Sequence, residues 1–343
     1  TVRPYRKVEN ARPICKLRVA DSHKYRLFAY FYFIARDLLA INAFLVGTHR
    51  GGGPHTRQRS FTSEPNRNTP SEPDKMGLRV GFVGAGQMAE ALCRGFDAAG
   101  VAKCVDMTII DRNQPRRDLF ASWGCKIGGS NEEVVKNVDV VFISVKPYAV
   151  ADLLREMKPF LGPHVLVVSI AAGVTLATME DAAGANVPIM RVMPNTPCLV
   201  GCLAGAMSKG TACTPEHVAT TGNLLGAVGK CHEVPESKMD AVTGVSGSGP
   251  AYIYQVIEAM ADGGVLAGLP RAIAQDLAAR TVMGAAKMVL ETGKHPGELK
   301  DAVTSPAGTT IAAVHHLEKC GVRAAFQGAV KAAADRAHEL SKS

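Results

Sequence analysis

The chain has 343 residues, enough for two domains with their own cores, and 47% hydrophobic with 20% charged residues is the balance of a soluble globular protein. Its formal net charge of +8 would suit nucleic acid or an anionic membrane, until the charge is divided along the chain. Residues 1–75 hold 14 Lys and Arg against 6 Asp and Glu, whereas residues 76–343 hold 25 of each, so the larger part is neutral and neither partner is expected for it.

Residues 1–75 read as an N-terminal extension unlike the rest. Phe28 to Val46 is apolar and aromatic, but Arg36 and Asp37 interrupt it, and a spanning helix needs about 20 apolar residues. Acidic residues at 9, 21 and 37 fit a mitochondrial transit peptide poorly. Residues 47–75, rich in Gly, Ser, Pro and Asn, read as a disordered linker. Met76 stands just before the first strand, where a compact enzyme would begin. A start there makes the cytoplasm the default location, with the mitochondrion the alternative if the extension is a targeting sequence.

From Met76 a strand–helix rhythm sets in. The apolar run Val80, Phe82, Val83 meets Gly84-x-Gly86-x-x-Ala89, and a helix follows from Gln87 to Ala98. Strand, tight glycine turn and helix are the dinucleotide fingerprint. Gly84 takes the turn, Gly86 lets backbone approach a pyrophosphate, and Ala89 lets the helix lie close to the strand. The pyrophosphate sits on free amides at the helix start, which makes Gly84, Ala85, Gly86, Gln87 and Met88 cofactor residues. The second strand, Met107 to Asp111, ends in a carboxylate suited to the ribose hydroxyls of NADH, while Arg112, Arg116 and Arg117 suit the extra phosphate of NADPH. Both cofactors stay open, with a slight preference for NADPH.

A helix near Asn131 to Asn137 precedes the apolar strand Val138 to Val145, the pattern of a parallel strand covered on both faces. Lys146-Pro147 ends it at the ligand side of the sheet. Val165 to Ile170 runs into Ala171-Ala172-Gly173, small enough for a flat ring to approach, and Pro188 to Val192 runs into Met193-Pro194-Asn195-Thr196-Pro197. A strand, a helix and a strand between Gly205 and Val234 complete the cofactor domain, residues 76–235. The fold class is α/β: a Rossmann-type domain followed by an all-helical dimerisation and substrate domain, residues 236–343. The helices of that second domain are rich in small residues and weakly amphipathic, which predicts packing into a partner subunit.

Two stretches of the helical domain stand out. Thr243 to Pro250 reads as a glycine–serine turn, with Pro250 in the first turn of the next helix. Thr304-Ser305-Pro306-Ala307-Gly308-Thr309-Thr310 precedes a helix from Ile311 to Glu318 and gathers hydroxyls and helix-start amides in one place, an arrangement suited to a carboxylate. The nine cysteines form no C-x-x-C pair and have no histidine at zinc-finger spacing, so they read as buried reduced thiols; no metal is expected.

Residues 76–341 resemble pyrroline-5-carboxylate reductase. The matching pieces are Gly81 to Ala89, Val145-Lys146-Pro147, Ala171 to Val174, Met193 to Pro197, Asp240 to Tyr252, His295 to Asp301 and, most specifically, Ser305 to Ile311. The resemblance implies reduction of L-1-pyrroline-5-carboxylate to L-proline, the last step of proline biosynthesis, by a homodimeric enzyme or a higher oligomer. It implies that Ser305, Gly308, Thr309 and Thr310 hold the substrate carboxylate, that the Thr310 hydroxyl reaches the ring nitrogen as the catalytic contact, and that Glu236 touches the ligands. It also implies that Asn131, Lys146 and Ala171 to Gly173 are cofactor contacts and that Asn195 flanks the nicotinamide. Ala307 departs from the family, whose members usually carry glycine there; its methyl either narrows the loop or, with a negative φ, is harmless, so the departure bears on substrate affinity. Two other readings are a related β-hydroxyacid reductase using Lys287 as acid, and a dinucleotide-binding sensor without turnover.

Overall fold

Short valine- and isoleucine-rich runs alternating with helices give a doubly wound sheet. The computed structural model describes residues 77–341; the expectations for residues 1–75 lie outside that range. In chain order the first half contains β1 (Val80–Val83), α1 (Gln87–Ala99), β2 (Met107–Ile110), α2 (Gln114–Ala121), β3 (Lys126–Ile127), α3 (Asn131–Lys136), β4 (Val140–Ile143) and α4 (Val150–Met157). It continues with β5 (Leu166–Ser169), α5 (Leu176–Ala183), β6 (Ile189–Met193), β7 (Leu203–Lys209), α6 (Pro215–Gly226) and β8 (Gly229–Glu233). Among the described residues these strands form one sheet in the order β3-β2-β1-β4-β5-β6-β7-β8.

All neighbours pair in parallel except β6 and β7, which are antiparallel. Residues 194–202 between those two strands are too few for the crossover that a parallel pair requires, so the chain turns back directly. The order reverses beside β1: the chain leaves it for β2 on one side and returns to β4 on the other. That places a crevice at the C-terminal ends of β1 and β4, where ligands of open α/β sheets bind.

Each face of the sheet carries its own core. On one, Phe82, Phe96 and Phe142 pack with Leu92, Met107 and Met190, the rings of Phe82 and Phe142 stacking at 5.0 Å between centroids. On the other, Val141, Ile143, Leu154, Met157 and Met179 are fully buried. Alternate residues of β1 feed the two cores, as the period of a strand requires.

The sheet gives way to helices at Glu236: α7 (Met239–Val242), α8 (Gly249–Leu266), α9 (Arg271–Thr292), α10 (Pro296–Ala302), α11 (Thr309–Lys319) and α12 (Val322–Leu340). The glycine–serine turn expected at Thr243 to Pro250 is instead a π-helical turn, Thr243–Gly247, that keeps the chain helical from α7 into α8. Its wide bond runs from the Ser248 N–H to the Thr243 carbonyl at 2.9 Å. Glycine is needed for close packing rather than for turning. A Cβ on Gly244 would lie 2.5 Å from the Val330 carbonyl oxygen of α12, and one on Gly247 would overlap the Met193 side chain.

These helices bury little within one chain. Ala261, Ala274 and Ala278 form their small cluster, while Tyr254, Leu266, Ile273, Leu277, Met283, Met288 and Leu290 lie open to solvent. No helix among the described residues is long and apolar enough to cross a membrane.

Candidate active site

The glycine turn between β1 and α1 forms one wall of the crevice. Gly84 has φ +101°, and a Cβ there would stand 2.6 Å from the Ser144 carbonyl oxygen at the end of β4. Around Gly86 nothing lies within 4 Å of where a Cβ would be, so a ligand can rest on its backbone. The Glu90 N–H makes the first bond back to Gly86 at 3.0 Å, which leaves the amides of Gln87, Met88 and Ala89 without an acceptor in the chain. The Ser144 hydroxyl is buried beside this turn without a partner. Open glycine, free amides and an unpaired hydroxyl fit a dinucleotide pyrophosphate.

Asp111 lies at the end of β2, but its carboxylate is already at work. One oxygen accepts from the Ala85 N–H at 2.6 Å and the other from the Asn113 N–H at 2.8 Å, so it braces the glycine turn. Arg116 also binds the turn, donating to the Ala85 carbonyl at 2.5 Å and pairing with Glu90 at 2.8 Å. Arg117 donates to the Asp111 carbonyl at 2.6 Å. Arg112 is exposed and makes no hydrogen bond or ion pair, and of the three arginines it is the one left for a phosphate.

The remaining predicted cofactor residues line the same end of the sheet to different degrees. Lys146 and Pro147 are exposed just beyond Ser144. Asn131 opens α3 and donates to Glu156 at 2.9 Å. Ala171 is buried, Ala172 exposed, and Gly173 takes φ +77°. The Met88 sulfur receives the Cys198 thiol at 3.2 Å, so only the Met88 backbone faces the crevice. Asn195 is 6% exposed; it accepts from the Ala204 N–H at 3.1 Å and donates to the Ser246 carbonyl at 3.4 Å. Its amide therefore ties β7 to the π-helical turn.

Glu236 sits at a joint that the sequence reading missed. One of its oxygens accepts both from the Leu176 N–H, at 2.7 Å, and from the Arg191 guanidinium, at 2.8 Å. Arg191 is 5% exposed. The signal was present: an arginine inside the otherwise apolar strand Ile189–Met193 cannot be buried without a carboxylate partner. The joint links the start of α5, strand β6 and the first residue of the helical segment. A cavity of about 400 Å³ opens beside Glu236, lined also by Ser208, Lys209 and Glu233.

The loop before α11 leaves a group of hydrogen-bond donors free. Gly308 takes the N-cap position without a side-chain cap, its N–H bonds to the Ser305 carbonyl at 3.1 Å, and the first helical bond runs from the Ala312 N–H to the Gly308 carbonyl at 3.3 Å. The amides of Thr309, Thr310 and Ile311 are therefore free, with the hydroxyls of Ser305, Thr309 and Thr310 around them. A Cβ at Gly308 would overlap the Ser305 hydroxyl. Ala307 has φ +56°, the one positive φ outside glycine among the described residues, so the condition under which its methyl would be harmless is not met. The structure brings Ser305, Gly308, Thr309 and Thr310 together and joins them to the cofactor crevice by no hydrogen bond. Lys287, on α9, is exposed and lies 3.5 Å from Glu291, an ordinary i,i+4 pair.

Two family models match the chain: pyrroline-5-carboxylate reductase dimerisation over residues 236–340, and NADP oxidoreductase, coenzyme F420-dependent, over residues 79–173. The chain is 53% identical to pyrroline-5-carboxylate reductase of Arabidopsis thaliana over 267 residues, 78% of this chain and 96% of that one. Its fold matches that of the Coxiella burnetii pyrroline-5-carboxylate reductase with a TM-score of 0.74 at 34% identity, covering 78% of this chain and all of that one. It also matches the Plasmodium falciparum enzyme, whose structure has NADP bound, with a TM-score of 0.70 at 31% identity over 77% and 98% of the two chains. With the dimerisation segment and the cofactor fold both present, the chain belongs to the pyrroline-5-carboxylate reductase family.

Proposed function

We propose that the chain reduces L-1-pyrroline-5-carboxylate to L-proline with NADPH, in preference to NADH, as its reductant. The observation that carries this reading is the Ser305–Thr310 loop, where three free amides and three hydroxyls converge at the start of an 11-residue helix. The helix-start dipole and these donors suit the substrate carboxylate. Thr310, half-buried in the first turn, is then the hydroxyl nearest the ring nitrogen. A cyclic imine protonated at that nitrogen is already an electrophile, so the chain has no need of a histidine or carboxylate acid. Its task is closeness and orientation, worth about 7–11 kcal/mol in well-ordered cases.

When bound, the reduced nicotinamide supplies the hydride. Gly84 to Met88 would hold its pyrophosphate, Ala171 to Gly173 and the Asn195 turn would flank the ring, and Asn131 and Lys146 would close the crevice. The two braced oxygens of Asp111 and the unpaired Arg112 favour a ribose phosphate over a free ribose diol, which supports NADPH. Residues 76–235 serve as the cofactor domain and residues 236–343 as the dimerisation and substrate domain, with a homodimer as the working unit. The eight cysteines among the described residues are free, which suits a reducing compartment such as the cytoplasm.

The test is turnover by the full chain, with NADPH and NADH consumption followed by absorbance and proline identified as the product. Thr310→Ala is expected to lower kcat while leaving NADPH affinity unchanged. Tight NADPH binding without proline formation would sink the proposal, and an unchanged kcat would remove Thr310 from the catalytic contacts.

A further inference from the structure

Far from the crevice, the fold gathers three cysteines that are widely spaced in sequence. Cys93 projects from the middle of α1, Cys104 lies in the single turn before β2, and Cys125 follows Gly124 on the way into β3. All three are buried, at 0, 7 and 6% exposure, and their sulfurs lie within 4.8 Å of one another. The Cys93 and Cys125 sulfurs are 3.6 Å apart. The turn carrying Cys104 is pinned by its own N–H, which donates to Asp97 at 3.1 Å. The Cys125 N–H donates to the Phe120 carbonyl at 3.2 Å. Backbone bonds thus fix two of the three positions independently of the sulfurs.

Other thiols in this domain have partners of another kind: the buried Cys198 donates to the Met88 thioether and the half-buried Cys213 to the Ile189 carbonyl. The three clustered sulfurs have only one another within bonding reach; the nearby Asp97 carboxylate is taken up by the Cys104 N–H. No histidine or carboxylate joins the group, so its donor set is purely soft.

We propose that Cys93, Cys104 and Cys125 form a binding site for a soft monovalent cation, Cu(I). Zinc in protein sites takes four ligands, and among the described residues this group offers three. Three sulfurs without nitrogen or oxygen suit copper in its monovalent state. Binding exchanges thiol protons for the metal: each S–Cu bond that forms from a thiol releases one proton to solvent, and no atom changes oxidation state. The site lies at the N-terminal ends of β2 and β3, whereas the cofactor crevice lies at the C-terminal ends of the strands. A bound ion would therefore staple α1 to β2 and β3 without touching the dinucleotide.

The experiment uses the full chain, reduced and free of oxygen, titrated with Cu(I) held by the chelator bicinchoninate. The expected result is one Cu(I) per chain withdrawn from the chelator. Cys93→Val and Cys104→Val are each expected to weaken that binding by more than about a hundredfold, while a chain carrying both Cys202→Ser and Cys320→Ser, at exposed positions, keeps it. At free Cu(I) roughly a hundred times Kd the melting temperature should rise by about 5–10 °C, with NADPH affinity unchanged. X-ray absorption of the loaded chain should show sulfur neighbours only. If Cys93→Val fails to fold, Cys104→Val, nearer the surface, carries the comparison. Equal uptake by wild type and both valine variants overturns the proposal. So does a reduced chain that ignores Cu(I), whether the sulfurs prove to be apolar filling or a pair that air oxidises to a disulfide. Tighter uptake of Zn(II) than of Cu(I) overturns the choice of metal.

Discussion

Replacing Ala307 by glycine removes the one left-handed conformation that a side chain holds among the described residues. An L-residue at φ +56° costs about 1–2 kcal/mol that glycine avoids. Glycine loses more chain freedom on folding, which offsets about 0.4–1 kcal/mol of the gain. The net stabilisation is then about 0.5–1 kcal/mol, and it acts on the loop proposed to receive the substrate carboxylate. If the loop stays ordered in the native chain, the gain appears as a melting temperature higher by about 1–4 °C. If the alanine loop leaves the left-handed conformation part of the time, the same energy lowers KM for pyrroline-5-carboxylate about two- to fivefold, with kcat unchanged. Thermal melts and steady-state kinetics on Ala307→Gly and Ala307→Val separate these cases, because valine at positive φ should move both quantities the opposite way. A melting temperature that falls in Ala307→Gly, with KM unmoved, would refute the reasoning.

Arg112→Ala should raise KM for NADPH about tenfold, the loss of one charge-assisted contact of about 1.4 kcal/mol, and leave KM for NADH within twofold by rough expectation; kinetics with the two cofactors decide it. Glu236→Ala strands the buried Arg191 guanidinium. Its Glu236 partner is about a third exposed at the side chain, at 32%, so the cost in chemical denaturation should be about 2–3 kcal/mol, below the range for a fully buried pair. Adding Arg191→Leu should recover part of it. Asp139→Asn tests the pair that opens the sheet. The hydrogen bond from Arg79 holds the Asp139 carboxyl below its ordinary range, so its contribution is present above the unfolded value of about 3.9 and is lost as pH falls through the folded value. Both side chains are about two-fifths exposed, at 41 and 40%, which limits that contribution to about 1 kcal/mol or less. Urea melts of wild type and Asp139→Asn should therefore differ slightly near neutral pH and converge in acid.

Much of the sheet was legible because its strands are buried on both faces and read as unbroken apolar runs. Val140–Ile143 and Leu166–Ser169 fall inside the runs expected for them. The two-residue strand Lys126–Ile127 was not legible, since both residues are exposed and exist as a strand only through pairing with β2. The π-helical turn was read as a loop because Gly-Ser-Gly-Ser composition is that of loops; what makes it helical is α12, whose backbone lies too close for any side chain at Gly244. In the site, the glycine turn and the Ser305–Thr310 loop were visible as local patterns. The bracing role of Asp111 and the Arg191–Glu236 pair depend on contacts across 26 and 45 positions, which no local pattern carries. The three cysteines were equally hidden: none has another at metal-ligand spacing, and only α1, the turn before β2 and the approach to β3 bring them together.

The arrangement of exposed residues argues that the proposed substrate site is completed by a second copy of the chain. Helix α9 runs 22 residues, about 33 Å, and buries only Ala274 and Ala278 along that length. It carries α10, the Ser305–Thr310 loop and α11, and α11 buries no residue at all. A helix pair this poorly covered does not hold its position on packing within one chain, because tertiary burial rather than propensity supplies most helical stability. The apolar residues it exposes, Ile273, Leu277, Met283, Met288 and Leu290, are what an obligate interface buries. The segment matched as a dimerisation domain spans all of them. The Ser305–Thr310 loop, proposed to take the carboxylate, is thus expected to be held in place by the same contacts that make the dimer. The opposite half of the site, from Gly84 to Gly173, rests on a core that one chain completes alone, so cofactor binding should survive where substrate binding depends on the partner.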